Sequence, residues 1–586
     1  MEKEPFLAKI WAEWIWSALH ECGIQKICFC SGMRLYPLIE AFQKVETLFD
    51  AVVHFEERAA AYFALGVGKA NPERGAAILT TSGTAVANLL PAVIEAYHAQ
   101  IPLLLLTTDR PVELHDVGAN QTMDQEQLFA PYVLWKASLP PPTPSVSRSF
   151  VKNLISHACF RMHTLPGGPV QINLPFREPL FSLQTDGEEK KNLLKSNQKR
   201  GCHFILPAFS PQEIPPPLLS YLKDPCINIL GIVGSLSSAA EAKAVLQWSH
   251  HFSIPLLPDI TSHLRLFEAF PLLNHLHWVF SHDSPLLSET EIIVQFGSHL
   301  TNAALLKWIR DKPLQDYFLI VDSLSRRDPA QRATYQICTQ LQPLCHKLCS
   351  LLSKRKPSSW LTSLRLLSEE FRERLSELFA HHPSSLPNEL TTLYDLSKIC
   401  SEEHFLFLGN SLPIRWMEYA AESRPKQILT YANRGMSGID GCLASALGMI
   451  KEFNQGATVV LGDLSFLYEL SSLALLREVS SPLILILLNN YGGSIFSSLS
   501  LPLREEQIKK YFCLSHQWNF SAIAQFFSLD FSSPQSREEL QNTYQSCLYK
   551  QKSCLIEISI PENRGICFFE NIKKELSLVK QNIHSI

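Results

Sequence analysis

The sequence lacks a long apolar run. Its most hydrophobic stretches, IPLLLLTT from Ile101 and SPLILILLNN from Ser481, are far shorter than the roughly 20 residues that a membrane-spanning helix needs. The opening stretch MEKEPFLAKIW carries acidic as well as basic residues and has no apolar signal-peptide core. These two absences predict a cytoplasmic protein without membrane insertion.

An excess of charge of one sign is also missing. The 586 residues carry a formal net charge of −4, and 18% of them are charged while 46% are hydrophobic. No basic stripe with interleaved aromatic residues occurs, so we expect no nucleic-acid partner. The composition is that of a globular protein, and the length predicts roughly three or four domains.

Paired CxxC motifs are absent, although the sequence has 15 cysteines. The nearest approach to a metal-binding cluster is CHKLC, from Cys345 to Cys349, and a lone cluster of this kind more often reflects packing. We therefore expect free thiols in a reducing compartment rather than a zinc site.

Short apolar runs alternate with amphipathic stretches along most of the chain, which is typical of parallel α/β sheets. Strand-like runs include KICFC, AAILTT and PVQINLP early in the chain, INILGIVG and EIIVQFGS in the middle, and HFLFLGNS and ATVVLGDLS late. The fold class predicted is α/β, with three doubly wound parallel-sheet domains. SLQTDGEEKKNLLKSNQKRG, polar and charged, is the predicted linker. The predicted bounds are 1–185 for the first α/β domain, 200–352 for the central one, 353–386 for a helical connection and 387–586 for the third.

Ligands of open α/β sheets bind at the carboxyl ends of strands, so the loops there carry the functional argument. In TTSGTAVANLL a strand ends at Thr80 and a helix begins near Thr84. Ser82 and Gly83 then place small residues and free backbone N–H groups at a helix N-terminus, which can bind an anion. Taken alone, an ordinary N-cap with a tight turn explains this loop better.

Two later loops follow buried strands and carry oxygen ligands. VVLGDLS delivers Asp463 and ILLNNYGG delivers Asn490, 27 residues further on. That spacing leaves room for one crossover helix, LYELSSLALLREV, so the two loops are expected side by side. A carboxylate, an amide oxygen and a backbone carbonyl suit Mg²⁺. Singly the residues read as a helix N-cap and a turn residue, but as a pair they favour a metal site.

Two remaining stretches stay ambiguous on the residues alone. HFEERAAAYFALGVGKA has adjacent glutamates, Glu56 and Glu57, at a predicted helix start, where acidic residues are favoured in any case. NRGMSGIDG is a small-residue loop that opens a helix, and Asp440 within it can serve as an N-cap.

In combination these loops resemble the thiamine-diphosphate enzyme superfamily, whose diphosphate-and-magnesium motif is similar to GD followed by NN. More specifically, the chain resembles the MenD family of menaquinone biosynthesis, the 2-succinyl-5-enolpyruvyl-6-hydroxy-3-cyclohexene-1-carboxylate synthases. The likeness covers both end domains, and the central domain matches more weakly. It is carried, in chain order, by HFEERAAAYFALGVGKA, TSGTAVANLLPAVIEA, TTDRPVELHDVGANQTMDQ, GPVQINLPFREPL, LGNSLPIRW, NRGMSGIDG, GDLSFLYELSSLALLREV and NNYGGSIF.

The resemblance implies a pyrimidine-binding first domain and a third domain that binds diphosphate and magnesium. It implies that Glu57 is the mostly buried carboxylate that activates the cofactor, while Glu56 is solvated or pairs with a nearby base. Ile439 matches the residue that props the bent cofactor, and Asp463, Asn490 and the Gly492 carbonyl match ligands of Mg²⁺ or Mn²⁺. The complete set implied for thiamine diphosphate is Glu57, Ser82, Gly83, Ser411, Ile439, Gly462, Asp463, Leu464, Ser465, Asn490, Gly492, Ile495 and Phe496.

The substrates implied by the resemblance are 2-oxoglutarate and isochorismate, both polyanions, so arginines and amides are expected around them. The activity implied is a transferase reaction: decarboxylation of 2-oxoglutarate and conjugate addition of the succinyl carbanion to isochorismate. An active site shared between subunits implies a homodimer at least, and family likeness a homotetramer. The implied substrate-binding residues are Arg34, Arg110, Asn120, Gln121, Ser411, Arg415 and Arg434, among which Arg34, Gln121 and Arg415, with Glu57, are the expected catalytic residues.

Two positions depart from the family pattern. CSGMR stands where the family usually has SPGSR, so Met33 replaces a serine, and Ala303 and Ala304 stand where several relatives have basic residues. Lys307 and Arg310 are candidate substitutes. Two alternatives stay open: another thiamine-diphosphate decarboxylase or carboligase, which an arginine-rich pocket disfavours, and a catalytically silent paralogue, which the intact Glu57, Asp463 and Asn490 disfavour.

Overall fold

The computed structural model describes residues 4–181, 213–281, 284–383, 385, 387–499, 501–561 and 563–583. The predicted linker, residues 182–201, lies outside these ranges. The described chain contains three sheets, each with parallel strands only, which confirms the predicted α/β class. No helix within these ranges is both long and apolar enough to cross a membrane. The residues form two compact units, and each is described by itself.

The first unit contains residues 4–181 together with Asn433–Asn454 and Glu469–Ser480. Its six-stranded sheet has the order β2-β1-β3-β4-β6-β5. Strands β3, β4 and β6 are buried along their whole length, as a sheet covered on both faces requires. The strands are β1 Lys26–Cys30, β2 Asp50–His54, β3 Ala76–Thr80, β4 Leu103–Asp109, β5 Trp135–Ser138 and β6 Pro169–Pro175. The helices are Glu4–Glu21, Tyr36–Phe42, Glu57–Ala70, Thr84–Ala87, Leu90–Ala99, Arg148–His163 and Cys442–Phe453, with 3-10 turns at Met33–Leu35 and Leu470–Glu478.

Two small-residue helices of the first unit pack backbone to backbone. A Cβ added at Gly66 would lie 2.0 Å from the carbonyl oxygen of Ser445, and one at Gly448 would lie 2.1 Å from that of Phe63. Helix Glu57–Ala70 therefore needs its glycines and alanines to approach helix Cys442–Phe453. This contact ties the amino-terminal sheet to the segment that carries the NRGMSGIDG loop.

The second unit contains the described parts of 208–432, 455–468 and 481–586. It holds a five-stranded sheet, β11-β10-β9-β7-β8, and a six-stranded sheet, β13-β12-β14-β15-β17-β16. The strands are β7 Ile229–Val233, β8 Leu256–Pro258, β9 Ile292–Phe296, β10 Asp316–Val321, β11 Tyr335–Cys338, β12 His404–Leu408, β13 Thr430–Tyr431, β14 Gly456–Gly462, β15 Leu483–Asn489, β16 Asp530–Ser532 and β17 Cys554–Ser559. The helices of eight residues or more are Pro216–Lys223, Ala239–Phe252, Ala303–Asp311, Leu341–Leu351, Ser359–His381, Glu389–Ile399, Leu412–Ala420, Arg537–Lys550 and Arg564–Ile583.

The third sheet repeats the strand order of the first. Numbered within each sheet, both run 2-1-3-4-6-5. Strands β12, β14 and β15 are neighbours, with Leu408 paired to Val460 and Gly462 paired to Leu488. The loops that follow them therefore leave the same carboxyl edge side by side, as the spacing of Asp463 and Asn490 predicted.

The prediction of one continuous crossover helix between Asp463 and Asn490 is wrong. The chain makes a six-residue α-helix, Asp463–Tyr468, and then a 3-10 stretch, Leu470–Glu478. The change of winding coincides with Glu469, whose carboxylate is turned inward to accept backbone N–H groups. The amphipathic pattern located the crossover correctly but could not report this tertiary contact.

Candidate functional site

Glu56 and Glu57 have different partners. Glu56 is the N-cap of helix Glu57–Ala70, and its carboxylate accepts the N–H groups of Arg58 at 3.0 Å and Ala59 at 3.1 Å. Its Oε2 also accepts the Ser471 hydroxyl at 2.9 Å. Glu56 was expected to be solvated or to pair with a nearby base: its Oε1 lies 3.8 Å from Arg58 Nε, and capping also ties its carboxylate to the helix.

Glu57 follows directly as the first helical residue. The Glu57 side chain is half-buried, whereas the resemblance implied a mostly buried carboxylate. Its Oε2 accepts the side-chain amide of Asn88 at 3.1 Å. The carboxylate thus sits at the carboxyl end of β2 with no capping duty of its own, and Glu56 leaves it available for a ligand.

Ser82, Gly83, Arg110 and Gln121 come together at the carboxyl ends of β3 and β4. Arg110 Nη1 donates to the buried Ser82 hydroxyl, and its Nη2 donates to Gln121 Oε1 at 3.2 Å. A Cβ at Gly83 would lie 3.2 Å from Gln121 Cβ. The prediction of a free backbone N–H group is wrong for Gly83, whose N–H donates to the Gln125 side chain at 3.3 Å and so does not face an open anion site.

Arg34 is buried at the end of β1, with only 4% of its surface exposed. Its Nη1 donates to the Phe176 carbonyl at 2.8 Å and its Nη2 to Glu178 Oε1 at 2.7 Å. Burial lowers the pKa of Arg110, and the nearby Arg34 charge lowers it further. Two guanidinium groups held close together favour a bound polyanion.

Asn120 and Met33 lie at the surface of the same unit. Asn120 is exposed, and its carbonyl accepts the Thr122 hydroxyl at 3.4 Å. Met33 is 63% exposed, and a Cβ on the preceding Gly32 would lie 2.3 Å from Thr81 Cβ. The departure at Met33 therefore changes a solvent-facing side chain, while the glycine that lets β1 approach β3 is kept.

Asp463 is the centre of the loops after β14 and β15. Its carboxylate is 2% exposed, and Oδ2 accepts the Gly492 N–H at 2.8 Å and lies 3.1 Å from His516 Nε2. Burial raises the pKa of Asp463, opposed by these hydrogen bonds and by His516. A buried carboxylate at this position is costly unless a cation or hydrogen bonds meet it.

Asn490 is oriented by a second buried carboxylate. Its amide nitrogen donates to Glu389 Oε1 at 2.9 Å, which fixes which way the amide oxygen points. Glu389 is 3% exposed, and burial raises its pKa, with the Asp463 charge adding to that shift. The two carboxylates therefore lie close enough to repel each other, which a divalent cation would relieve.

The surroundings of Asp463 fit a metal-bound diphosphate. A Cβ added at Gly462 would meet nothing within 4 Å, so open space adjoins the end of β14. Gly492 has φ +141°, and a Cβ there would lie 2.5 Å from the Cys513 carbonyl, so only glycine fits. Within the described ranges no group of three or more His, Cys, Asp or Glu side chains could hold a metal, so a metal here would need amide, carbonyl and ligand oxygens.

The remaining predicted residues are divided between the two units. Ser411 has φ +71° and precedes helix Leu412–Ala420, and its carbonyl accepts from the exposed Arg415 at 2.8 Å. Arg434 and Ile439 lie on the NRGMSGIDG loop of the first unit, where Ile439 is 39% exposed. The other predicted residues of the second unit are Leu464, half-buried, Ser465, buried, Ile495, half-buried, and Phe496, whose ring lies 5.6 Å from that of Phe512.

The candidate substitutes for the missing basic pair are on an exposed helix face. Asn302 caps helix Ala303–Asp311 by accepting the N–H groups of Ala304 and Leu305. Lys307 and Arg310 are both exposed on that helix. No described contact brings them to the clusters above, so their role stays a prediction.

Several residues of the two clusters were missed by sequence reasoning. His516 contacts Asp463 and Glu389 contacts Asn490 from distant parts of the chain. Asn88 contacts Glu57, Gln125 contacts Gly83 and Glu178 contacts Arg34. None follows a predicted strand directly. The available signal was that Asn88, Gln125 and Glu178 lie within stretches that resemble the family.

Three family models match the chain in order. They are the N-terminal TPP-binding domain of thiamine pyrophosphate enzymes over residues 11–128, the middle domain of these enzymes over 229–408 and the C-terminal TPP-binding domain over 412–558. Each contains one of the three parallel sheets or most of it.

Curated relatives match over nearly the full length. The 2-succinyl-5-enolpyruvyl-6-hydroxy-3-cyclohexene-1-carboxylate synthase of Yersinia pseudotuberculosis serotype O:1b (strain IP 31758) is 33% identical over 579 residues, which is 97% of this chain and 98% of the relative. The proteins of the same name from Yersinia pestis bv. Antiqua (strain Angola) and Yersinia pseudotuberculosis serotype O:3 (strain YPIII) show the same identity and coverage.

Proposed function

The chain belongs to the family of 2-succinyl-5-enolpyruvyl-6-hydroxy-3-cyclohexene-1-carboxylate synthases, and on that premise we propose that it transfers a succinyl unit from 2-oxoglutarate to isochorismate. It is a thiamine-pyrophosphate-dependent transferase of menaquinone biosynthesis. The observation that carries the assignment to residues is the division of labour in Glu56–Glu57, which leaves one carboxylate free of capping at the end of β2.

We propose that the second unit holds the diphosphate end of the cofactor through a divalent cation, Mg²⁺ or Mn²⁺. Asp463, the oriented amide of Asn490 and the Gly492 carbonyl are the proposed ligands, and the open space at Gly462 would receive the phosphates. The other residues proposed to contact the cofactor are Glu57, Ser82, Gly83, Ser411, Ile439, Leu464, Ser465, Ile495 and Phe496. When bound, thiamine diphosphate supplies a nucleophilic carbon and an electron sink for decarboxylation.

Glu57 is the proposed proton-handling group of the chain. A carboxylate at a rigid strand end can accept a hydrogen bond from an aminopyrimidine nitrogen and move a proton to or from it. Asn88 orients this carboxylate from one side. Because Glu56 takes over the helix cap, Glu57 can engage a ligand without loosening its own helix.

The proposed substrate contacts follow from charge. Arg34 and Arg110 form a positive pair beside Gln121, and their mutual repulsion falls when a dicarboxylate binds between them. Glu178 now pairs with Arg34, and an incoming carboxylate would replace this exposed partner. Asn120, Ser411, Arg415 and Arg434 complete the proposed substrate set.

We further propose a homo-oligomer, a dimer at least and a tetramer by family likeness, that works in the cytoplasm. Every cysteine in the described ranges is a free thiol, which supports a reducing compartment. The acceptor and donor are small molecules, and the near-neutral charge supports no nucleic-acid partner.

The test uses purified protein with thiamine diphosphate, Mg²⁺ and 2-oxoglutarate, with and without isochorismate. Loss of isochorismate absorbance and release of carbon dioxide are followed for wild type and Glu57→Gln. We expect isochorismate-dependent turnover that falls by a factor on the order of 10²–10⁴ in the variant. Carbon dioxide release without loss of isochorismate would instead identify a decarboxylase with another acceptor, and a protein that binds cofactor but does not turn over would identify a silent paralogue.

A further inference from the structure

The NRGMSGIDG stretch forms a glycine-rich loop, residues 433–441, that carries two side chains with proposed functional roles. Arg434 is a proposed substrate contact and Ile439 a proposed cofactor contact. The loop has three glycines and exposes Met436 by 56% and Ile439 by 39%. Glycine-rich loops lose much conformational freedom when they are ordered, so something must hold this one.

Glu95 holds the first end of the 433–441 loop. This side chain, on helix Leu90–Ala99, is 2% exposed. Its Oε1 accepts the Gly435 N–H at 2.8 Å and its Oε2 the Met436 N–H at 2.7 Å. Both oxygens of one carboxylate thus grip two successive peptide groups immediately after Arg434.

The close approach of Glu95 explains Gly435. A Cβ added there would lie 2.6 Å from the Glu95 carbonyl oxygen and 3.0 Å from both its Cδ and the Ala99 nitrogen. No larger residue fits between the loop and helix Leu90–Ala99. The sequence pair Glu95 and Gly435 therefore acts as one contact, although 340 positions separate its members.

Glu469 holds the other end. It is 1% exposed and accepts the N–H groups of Gly441 and Ala444, the second at 3.3 Å, and the Ser472 hydroxyl at 3.1 Å. Gly441 has φ +73°, and a Cβ there would lie 2.2 Å from the Tyr62 ring. These contacts fix the chain two residues after Ile439.

The Glu469 carboxylate is a charged anchor at neutral pH. Burial raises the pKa of Glu469 to about 6, which leaves it mostly ionised at pH 7. Near Glu95, Lys69 donates to Asn433 Oδ1 at 2.7 Å, and the Glu95 charge opposes the lowering of the Lys69 pKa by burial. Hydrogen bonds from backbone N–H groups to ionised oxygens are about twice as strong as neutral ones.

We propose that Glu95 and Glu469 are positioning residues that hold opposite ends of the 433–441 loop, Glu95 setting Arg434 for the substrate carboxylate and Glu469 setting Ile439 for the cofactor. The roles of Arg434 and Ile439 rest on the proposed function. The positions predict separable effects, because each carboxylate grips the loop next to a different functional side chain.

The experiment compares Glu95→Gln and Glu469→Gln in the full-length enzyme. Glutamine keeps the size of the side chain but loses the charge and turns one acceptor oxygen into a donor that faces a peptide N–H. Direct calorimetry measures binding of thiamine diphosphate with Mg²⁺ to the apoenzyme and of 2-oxoglutarate to the holoenzyme, and the steady-state assay gives KM and kcat. Glu73→Gln, an exposed carboxylate of the same unit, is the matched charge control.

We expect Glu95→Gln to weaken 2-oxoglutarate binding and raise its KM on the order of tenfold, with cofactor affinity within about twofold of wild type. Glu469→Gln should weaken cofactor binding on the order of tenfold. Gly435→Ala, which leaves both carboxylates in place, should reproduce the Glu95→Gln pattern because its Cβ displaces the same contact. Glu73→Gln should leave all constants unchanged.

Equal effects of both variants on substrate and cofactor, or unchanged binding constants with a lowered melting temperature, would overturn the proposal in favour of a purely structural role. Failure of the proposed function would be seen in a different measurement, the consumption of isochorismate. A wild-type enzyme that binds cofactor and 2-oxoglutarate without consuming isochorismate would reject the synthase reaction, while the two binding constants would still decide the roles of Glu95 and Glu469.

Discussion

Glu56 is the residue that caps the start of helix Glu57–Ala70. Two backbone N–H groups and the Ser471 hydroxyl donate to its carboxylate, whereas the Glu57 carboxylate accepts a hydrogen bond from the Asn88 amide. The same pair of identical side chains therefore divides into a capping residue and a residue that can meet a ligand. The division follows from backbone geometry, since Glu56 is extended and Glu57 is the first helical residue.

Replacing Glu56 by alanine should lower stability more than turnover. Loss of an N-cap costs about 0.5–2 kcal/mol, and here the Ser471 contact is lost as well, so we expect the upper part of that range. Urea denaturation measures the free energy of unfolding, and the isochorismate assay at saturating cofactor measures turnover. Glu57→Gln is the matched comparison and should show the reverse, near-normal stability with lost turnover. Abolished turnover in Glu56→Ala with unchanged stability would reverse the two assignments.

The sequence could predict site residues only where they follow a strand or lie in a stretch that resembles the family. Asp463 and Asn490 met both conditions, and the structure places their loops on adjacent strands. Glu95 lies in such a stretch but in the interior of a helix, and His516 met neither condition because it lies in an irregular segment. Their relevance arises from contacts that span 340 and 53 positions, which local patterns do not encode.

Among the elements, the strands that sequence reasoning missed are edge strands. β5, β11 and β16 each lie at the outer edge of a sheet, and each is short and mostly half-buried or exposed. Central strands are buried on both faces, so their sequences are continuous apolar runs. An edge strand is more exposed to solvent and need not be apolar along its length. The prediction therefore found the interior strands of every sheet and missed one edge strand of each.

Helix Leu412–Ala420 shows how one element links the core to a proposed substrate contact. Its exposed face carries Arg415, and its buried face carries Glu418, which is 1% exposed. Glu418 Oε2 accepts the Ile260 N–H at 2.6 Å, and its backbone carbonyl accepts from the buried Arg265 at 3.1 Å. Burial lowers the pKa of Arg265 to about 10, opposed chiefly by the Glu418 charge.

Glu418→Ala should destabilise the protein by roughly 3–5 kcal/mol, because it leaves the Arg265 charge buried without its main counter-charge and the Ile260 N–H without an acceptor. Denaturant unfolding monitored by tryptophan fluorescence measures the change. Glu403→Ala, which removes an exposed carboxylate nearby in sequence, is the control and should change stability by less than about 0.5 kcal/mol. Equal effects of the two variants would show that Arg265 is stabilised by other groups.

For the whole molecule, the order of elements was predictable and their grouping was not. Three sheets follow from the alternation of apolar runs, but the segments Asn433–Asn454 and Glu469–Ser480 cluster with the first unit rather than with the sheet that flanks them in sequence. Close packing of helices Glu57–Ala70 and Cys442–Phe453 through glycine causes this grouping. The predicted bounds of 1–185, 200–352, 353–386 and 387–586 stay a prediction.

Buried neutral histidines should make the folded state sensitive to acid. His263, in the second unit, is 1% exposed, and its Nδ1 accepts the Thr430 N–H at 3.2 Å. Burial lowers the pKa of His263 to about 4, whereas an unfolded chain restores the ordinary value of about 6.5. Between these two pKa values the unfolded state binds a proton at His263 and the folded state does not. The free energy of unfolding therefore falls as the pH falls from about 6.5 to about 4.

The variant His263→Asn isolates this contribution, since asparagine tolerates the φ of +62° at this position and keeps an acceptor for Thr430. Linkage predicts that wild type loses roughly 2 kcal/mol from His263 between pH 7.5 and pH 5, and the variant does not. Burial raises the pKa of Asp259 and Glu469 to about 6, which acts in the opposite direction, but these groups are common to both proteins. The free energy of unfolding, measured at pH 7.5, 6.5 and 5, should therefore fall less for the variant than for wild type as the pH is lowered. His346→Asn, on an exposed helix face, should follow wild type. A constant gap for His263→Asn across the three pH values would show that the folded and unfolded states bind a proton at His263 equally well.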